Sequence, residues 1–104
     1  MSRSQTYVRE LLTLYLGLPH TAARKASTHD RRIAGQLLQQ GVPLETVEAA
    51  FLLATARRLI RTDPDLPPLP PIRSLAYFLP VLEEILLDPL DPGYIEYLRR
   101  KAIS

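Results

Sequence analysis

Basic side chains cluster in two stretches of this sequence, and one further arginine follows a proline-rich segment. The candidate binding residues are Arg24, Lys25, Arg31, Arg32, Arg57, Arg58, Arg61 and Arg73. Guanidinium groups bind phosphate oxygens in a bidentate manner and stack on planar rings, so this set favours contact with a polyanion. The alternative is a set of solvated surface arginines, partly neutralised by Asp30, Asp63 and Asp65.

Catalytic and metal-binding patterns are scarce in the same sequence. The absence of cysteine excludes disulfides, thiolate metal sites and cysteine nucleophiles. His29 and Asp30 can each ligate a metal ion, but no further ligands follow at a defined spacing. Glu83 and Glu84 are neighbours, so on a helix their side chains diverge by about 100°. With no glycine-rich phosphate loop either, we expect a non-enzymatic protein without a cofactor or metal.

Length and composition predict one domain that covers residues 1–104. Apolar residues make up 46% of the chain and charged residues 23%, as in ordinary globular proteins. No apolar run approaches the roughly 18 residues that a membrane span needs. Glu10 interrupts the first apolar segment, which argues against a secretory signal. We therefore expect a cytoplasmic protein without a membrane partner.

Charge is unevenly distributed along the chain. Residues 1–62 hold nine Lys and Arg against four Asp and Glu, whereas residues 63–98 hold one against seven. Eleven of the thirteen basic residues are arginine. This bias is compatible with phosphate binding, but a GC-rich genome produces the same bias through its codons.

Five helical segments follow from apolar spacing and from the residues that punctuate it. The first three cover about 4–16, a stretch capped at Ser27 or Thr28 and closed by Gly41, and about 43–61. The third is apolar on nearly every side, which predicts that the other helices surround it. Phe51 and Ala54 should therefore be buried at the centre of an all-α bundle.

The second half of the chain begins with a proline-rich strap at 62–72. Ser74 is a candidate N-cap of the fourth helix, which Pro80 should kink or divide into a turn at 74–78 and a main helix. Asp91 and Pro92 are suited to the N-cap and first position of a last helix, with Tyr94, Ile95 and Leu98 turned inward.

The short connection at 41–43 suggests that the second and third helices form an antiparallel hairpin. In that arrangement the start of the second helix lies beside the end of the third. The basic groups at these two ends would then share one pole, with Arg73 entering the same region. We call this set of eight candidate residues the arginine pole.

Two stretches carry a family resemblance. Residues 41–47 read Gly-Val-Pro-Leu-Glu-x-Val, and residues 72–82 read Ile-x-Ser-x-x-Tyr-Phe-x-x-Val-Leu. From residue 30 to residue 86 the chain resembles the C-terminal domain of DnaD/DnaB-type primosomal proteins and related replication initiators of phages, plasmids and mobile elements. The resemblance implies a helical unit that contacts single-stranded DNA and helicase-loading partners. The family's hallmark positions correspond to Tyr77, Val81 and Ile85.

Two functional hypotheses follow. The first is a nucleic-acid-binding accessory protein for replication or transposition of a mobile element, with single-stranded DNA favoured. A helicase, polymerase or transposase is then the candidate protein partner. The second is a protein–protein adaptor with no nucleic-acid role, suggested by the acidic stretch at 63–98, the proline-rich strap, and Leu87 and Leu90 near a turn.

Overall fold

The described part of the chain folds into five α-helices and one 3₁₀ helix. The computed structural model describes residues 3–19, 21–22, 24–59, 65, 67 and 69–103. The elements in chain order are α1 (Arg3–Leu16), α2 (Thr28–Gln39), α3 (Leu44–Leu59), the 3₁₀ helix (Leu75–Phe78), α4 (Leu79–Leu87) and α5 (Pro92–Ile103). Within these described ranges the only strand-like pairing is an isolated parallel bridge between Thr21 and Ile72. The predicted all-α class is confirmed.

Helix α3 is the centre of the bundle, as its sequence predicts. Every residue from 49 to 56 is buried, and α3 packs against α1, α4, α5 and the 3₁₀ helix. Phe51, only 1% exposed, lies in a cluster of three aromatic rings. Its ring centroid is 4.8 Å from that of Phe78 and 6.5 Å from that of Tyr15. Tilted and edge-to-face pairs of this kind contribute beyond their buried area.

The predicted hairpin of α2 and α3 is wrong. Among the described residues, α2 packs mainly against α1 and the 3₁₀ helix, and it shares no extensive interface with α3. The physical reason lies at the end of α2, where Gly41 adopts a left-handed conformation with φ 74°. The N–H groups of Gly41 and Val42 donate to Leu38 O and Leu37 O, which completes a Schellman motif. Val42 is buried, and its carbonyl accepts from the Tyr7 hydroxyl, so the turn is fixed against α1.

Pro80 divides the fourth helical segment, as the sequence predicts. The Ser74 hydroxyl accepts from Ala76 N–H and caps the 3₁₀ helix, while Pro80 lies in the first turn of α4, where its missing N–H leaves no hydrogen bond unmade. The buried residues of this segment include Phe78 of the 3₁₀ helix and Leu82 and Ile85 of α4.

The last helix is capped by Asp91, whose carboxylate accepts from Gly93 N–H at 3.1 Å. Leu98 is buried and Ile95 is half-buried against α3, but Tyr94 is exposed. The expectation that Tyr94 points inward is therefore wrong, because α5 packs mainly against α3 and buries only a narrow stripe. None of the described helices combines the length and the apolar character that crossing a bilayer requires.

Candidate functional site

A wide groove of about 890 Å³ runs between α1 and the segment that enters α2. Its lining includes four exposed basic residues, and we call it the basic groove. These residues are Arg9, Arg24, Lys25 and Arg31. The apolar lining comes from Val8, Leu12, Leu16 and Ala26, which are half-buried or buried. The groove thus combines an apolar interior with a charged rim.

One wall of the basic groove is a stripe along α1. Residues 5, 8, 9, 12, 13 and 16 recur at helical spacing, so their side chains lie along one face of the helix. Leu12 anchors this stripe to the core, and Arg9 stands beside it at the exposed edge.

The other wall depends on how the chain leaves α1. Gly17 N–H donates to Thr13 O, and the Thr21 hydroxyl donates to Tyr15 O, so the chain folds back on the end of the helix. Ala22 N–H then donates to Ile72 O at 2.8 Å. These contacts hold the start of the loop that carries Arg24 and Lys25.

Asp30 fixes the start of α2 and with it the position of Arg31. The Ser27 hydroxyl accepts from Asp30 N–H, and Asp30 Oδ2 accepts from Ser27 N–H, which makes a reciprocal capping box. Asp30 Oδ1 accepts from the backbone N–H of Leu75 at 2.9 Å. Asp30 is only 1% exposed, and its carboxylate serves two helix starts.

The charge state of Asp30 follows from these bonds. Burial raises the pKa of the Asp30 carboxyl, but the hydrogen bonds from Leu75 and Ser27, with the nearby His29, lower it further than burial raises it. The net pKa lies below the ordinary value, so Asp30 is ionised at neutral pH. Burial, followed by the Asp30 charge, raises the pKa of the Tyr15 hydroxyl to about 12.

The cations of the basic groove have no carboxylate partner in the part of the chain that the structure describes. None of the described residues that line the groove is acidic, and no ion pair among the described residues involves Arg9, Arg24, Lys25 or Arg31. Unpaired like charges along one cleft raise the local concentration of anions. The arrangement can therefore bind a chain of phosphates.

Two other predicted residues lie beside the basic groove without lining it. Arg32 is exposed next to Arg31 on α2. Arg73 is also exposed, and it lies between Ile72, which bonds to the loop at Ala22, and Leu75, which bonds to Asp30. The structure thus brings the segments that carry five of the eight predicted residues together.

The predicted residues of α3 are engaged elsewhere. The Arg57 guanidinium donates both Nη groups to Glu84 at 2.9 Å, and this hydrogen bonding lowers the pKa of the Glu84 carboxyl. Arg58 donates to Pro70 O at 2.8 Å and to the Tyr77 hydroxyl at 3.3 Å. Both arginines line a separate pocket of about 330 Å³.

The arginine pole is therefore divided. Arg57 and Arg58 have protein partners, because Glu84 of α4 and Pro70 lie beside the end of α3, where the sequence suggested the start of α2. Arg61 lies outside the described residues. Arg9 was not among the residues predicted from the sequence. Its position beside the apolar residues 8 and 12 places it at the border of the buried face of α1, but that border faces the groove only because α1 packs against α2.

At the hallmark positions of the resemblance, Ile85 is buried, Val81 is half-buried and Tyr77 is exposed with the Arg58 guanidinium 5.6 Å from its ring centroid. None of the protein-family models, curated proteins or solved structures with which the chain was compared matches it.

Proposed function

We propose that this protein is a non-enzymatic nucleic-acid-binding accessory protein that holds single-stranded DNA in the basic groove. The observation that carries the proposal is the set of four exposed cations in one groove with no carboxylate among its described lining residues. Solvated surface arginines without a role would more often be interspersed with acids, as Arg57 is with Glu84.

The mechanism is phosphate attraction with apolar contact beneath it. Arginine and lysine at the rim neutralise backbone phosphates and release their counterions. The half-buried side chains of Val8, Leu16 and Ala26 then offer surface to sugars and bases. Bases are accessible for such contact in a single strand, whereas a duplex buries them in its stack, so the groove favours single strands.

The wider role in this proposal is replication or transposition of a mobile element in the cytoplasm. It rests on the resemblance of residues 30–86 to primosomal C-terminal domains. A helicase, polymerase or transposase is the class of partner that such a role requires.

The test is fluorescence anisotropy with single- and double-stranded oligonucleotides of one sequence, across a salt series. We expect tighter binding to the single strand and a log–log salt slope of up to about −2.8, which corresponds to about −0.7 for each of four phosphates. Binding that ignores salt, or no binding even at low salt, contradicts the proposal.

A protein–protein adaptor is the second candidate, and one observation favours it. Leu87 is 88% exposed at the end of α4, next to the half-exposed Leu86. Large apolar side chains at neighbouring exposed positions often mark a partner surface. Sedimentation analysis separates the two candidates, because concentration-dependent association that Leu87→Ser abolishes, without oligonucleotide binding, supports the adaptor.

A further inference from the structure

Two tyrosine rings on the surface of α5 lie against each other. The centroids of Tyr94 and Tyr97 are 6.0 Å apart and their planes differ by 18°, so the rings are stacked. Both side chains are nearly half-exposed, at 44% and 49%. The Nζ atom of Lys101 lies 5.8 Å from the centroid of Tyr97, as in a cation–π contact. We call these three residues the tyrosine platform.

The helical spacing explains the platform. Positions 94, 97 and 101 lie within one stripe of α5, next to the stripe of Ile95 and Leu98 that packs against α3. Packing of the buried stripe therefore fixes the backbone that carries both rings. The platform lies on a different helix from the basic groove and outside the residues that carry the family resemblance.

The platform differs from the other exposed tyrosine of the bundle. Tyr77 lies edge-to-face against Phe78, and its hydroxyl and ring are both engaged by Arg58. Among the described residues, the rings of Tyr94 and Tyr97 make aromatic or cation–π contacts only with each other and with Lys101. Their outer surfaces are therefore open to a planar ligand.

Charge around the platform is polarised along the helix axis. Arg100 and Lys101 lie at the C-terminal end, where Arg99 forms ion pairs with both Glu96 and Glu48. The exposed Asp88 and Asp91 precede the helix and repel phosphates at the other end. A polyanion is thus attracted to the end of α5 at which Lys101 stands over Tyr97.

We propose that the tyrosine platform is a second nucleic-acid subsite, at which bases of single-stranded DNA stack on Tyr94 and Tyr97 while Lys101 contacts the adjoining phosphate. This inference rests on the proposed function, because it assumes that the protein binds a single strand. It assigns aromatic stacking of bases to the platform, in addition to the phosphate and apolar contacts of the basic groove. Aromatic stacking of this kind tolerates every base, so the subsite carries no sequence preference.

The test compares a single-stranded oligonucleotide with an abasic oligonucleotide of equal length, which keeps the phosphates and lacks the bases. The wild type should bind the normal strand more tightly, by about tenfold for each base that stacks. Tyr94→Ala with Tyr97→Ala should lower the affinity for the normal strand toward the abasic level, by about tenfold for each base that stacks, and leave abasic binding unchanged. Tyr94→Phe with Tyr97→Phe should keep the difference in affinity between the normal and abasic strands, because the aromatic rings remain.

Three controls make the outcome unambiguous. Leu87→Ala removes exposed apolar surface without a ring and should keep the preference for the normal strand. Circular dichroism checks that the double alanine variant keeps its helices, which the exposure of both tyrosines favours. Replacing the four groove cations by glutamine should weaken the binding of both oligonucleotides by the same factor. These cations are Arg9, Arg24, Lys25 and Arg31.

Equal binding of the normal and abasic strands by the wild type overturns the platform while the basic groove stands. An equal loss of affinity for the normal and abasic strands in the double alanine variant also overturns the platform. A change in sedimentation coefficient without any change in base preference would instead identify the platform as an interface between copies of the chain. If neither oligonucleotide binds at low salt, the proposed function fails, and this inference fails with it.

Discussion

The Asp30 carboxylate accepts a hydrogen bond from the Leu75 backbone N–H, across 45 positions of the chain and at a distance of 2.9 Å. One buried charge therefore caps α2 and also receives the first N–H of the 3₁₀ helix. Because helix N-termini carry partial positive charge, a single carboxylate satisfies donors of two elements at once. This bond holds the segment at 72–75 against the start of α2, which forms one wall of the basic groove.

Replacing Asp30 should be among the most destabilising single changes in the protein. Asp30→Ala leaves the buried N–H of Leu75 and the partly buried N–H of Ser27 without acceptors, so we expect a loss of about 3 kcal/mol in the free energy of unfolding. Urea denaturation followed by circular dichroism measures it.

The matched control for this change is Ser74→Ala, which removes the cap of the 3₁₀ helix at a half-buried site. It should cost about 1 kcal/mol. Equal effects of the two variants would show that Asp30 acts as an ordinary cap and not as a link between elements.

Acid should remove the contribution of Asp30 to stability. Its pKa in the folded protein lies below its ordinary value, so below about pH 4 the unfolded chain binds more protons at this position than the folded chain. The stability it provides is complete above the unfolded pKa and is lost as the pH falls through the folded pKa. The stability difference between the wild type and Asp30→Asn should therefore narrow as the pH is lowered from neutral to below the unfolded pKa of about 4, measured by urea titrations at each pH. A constant difference across that range contradicts the assignment.

Tyr15 predicts the opposite pH dependence at the alkaline end. Its hydroxyl is buried, has no hydrogen-bond partner among the described residues, and has its pKa raised to about 12 by burial and by Asp30. Stability is complete below the unfolded pKa of about 10 and falls as the pH rises from there through about 12. Tyr15→Phe should remove this loss and should gain about 1 kcal/mol at neutral pH, because no hydrogen bond is sacrificed. Thermal melts at neutral and alkaline pH provide the comparison, and a destabilised phenylalanine variant would indicate that the hydroxyl has a partner.

Much of the bundle could be predicted because its signals are local. The burial of Phe51, the division at Pro80 and the caps at Ser27 and Asp91 each depend on residues within one or two turns. The pairing of helices is not local. Helix α3 is apolar on all sides, so its sequence does not indicate which neighbouring helix covers which side. The short turn at 41–43 suggested that α3 packs against α2, but α1 packs there instead.

The candidate site was predicted in part for the same reason. Arg24, Lys25 and Arg31 lie close in sequence and remain together in the groove. Arg9 joins them only through the packing of α1 on α2, and Arg57 leaves the set only because Glu84, 27 positions away, pairs with it. Contacts over such separations depend on tertiary structure that residue spacing does not encode.

Gly35 lies within α2 and Gly41 lies just beyond its end, and replacing each by alanine should change the stability of the protein in opposite directions. Gly35 lies inside the helix and Gly41 ends it with φ 74°, and at both positions an added Cβ would meet no atom within 4 Å. Gly35→Ala should therefore stabilise the protein by about 0.5–1 kcal/mol, since only the entropy of the unfolded chain changes. Gly41→Ala should destabilise it by about 1 kcal/mol or more, because the left-handed conformation strains a side chain. Thermal melting of the two variants checks both signs, and a neutral Gly41→Ala would mean that the Schellman turn is dispensable.

Arg31 and Arg32 provide the sharpest test of where nucleic acid binds. They are neighbours on α2 and both are exposed, but only Arg31 lines the basic groove. Arg31→Gln should weaken binding of single-stranded DNA and flatten the salt slope by about 0.7, since one phosphate contact is lost. Arg32→Gln changes the net charge identically, and it should leave the slope unchanged.

Arg9→Gln should behave like Arg31→Gln, although α1 lies outside the stretch that carries the family resemblance. Anisotropy titrations across a salt series measure all three variants. If Arg32→Gln matches Arg31→Gln, net charge governs binding and the groove does not; if Arg9→Gln alone has no effect, the strand follows α2 and the loop without touching α1.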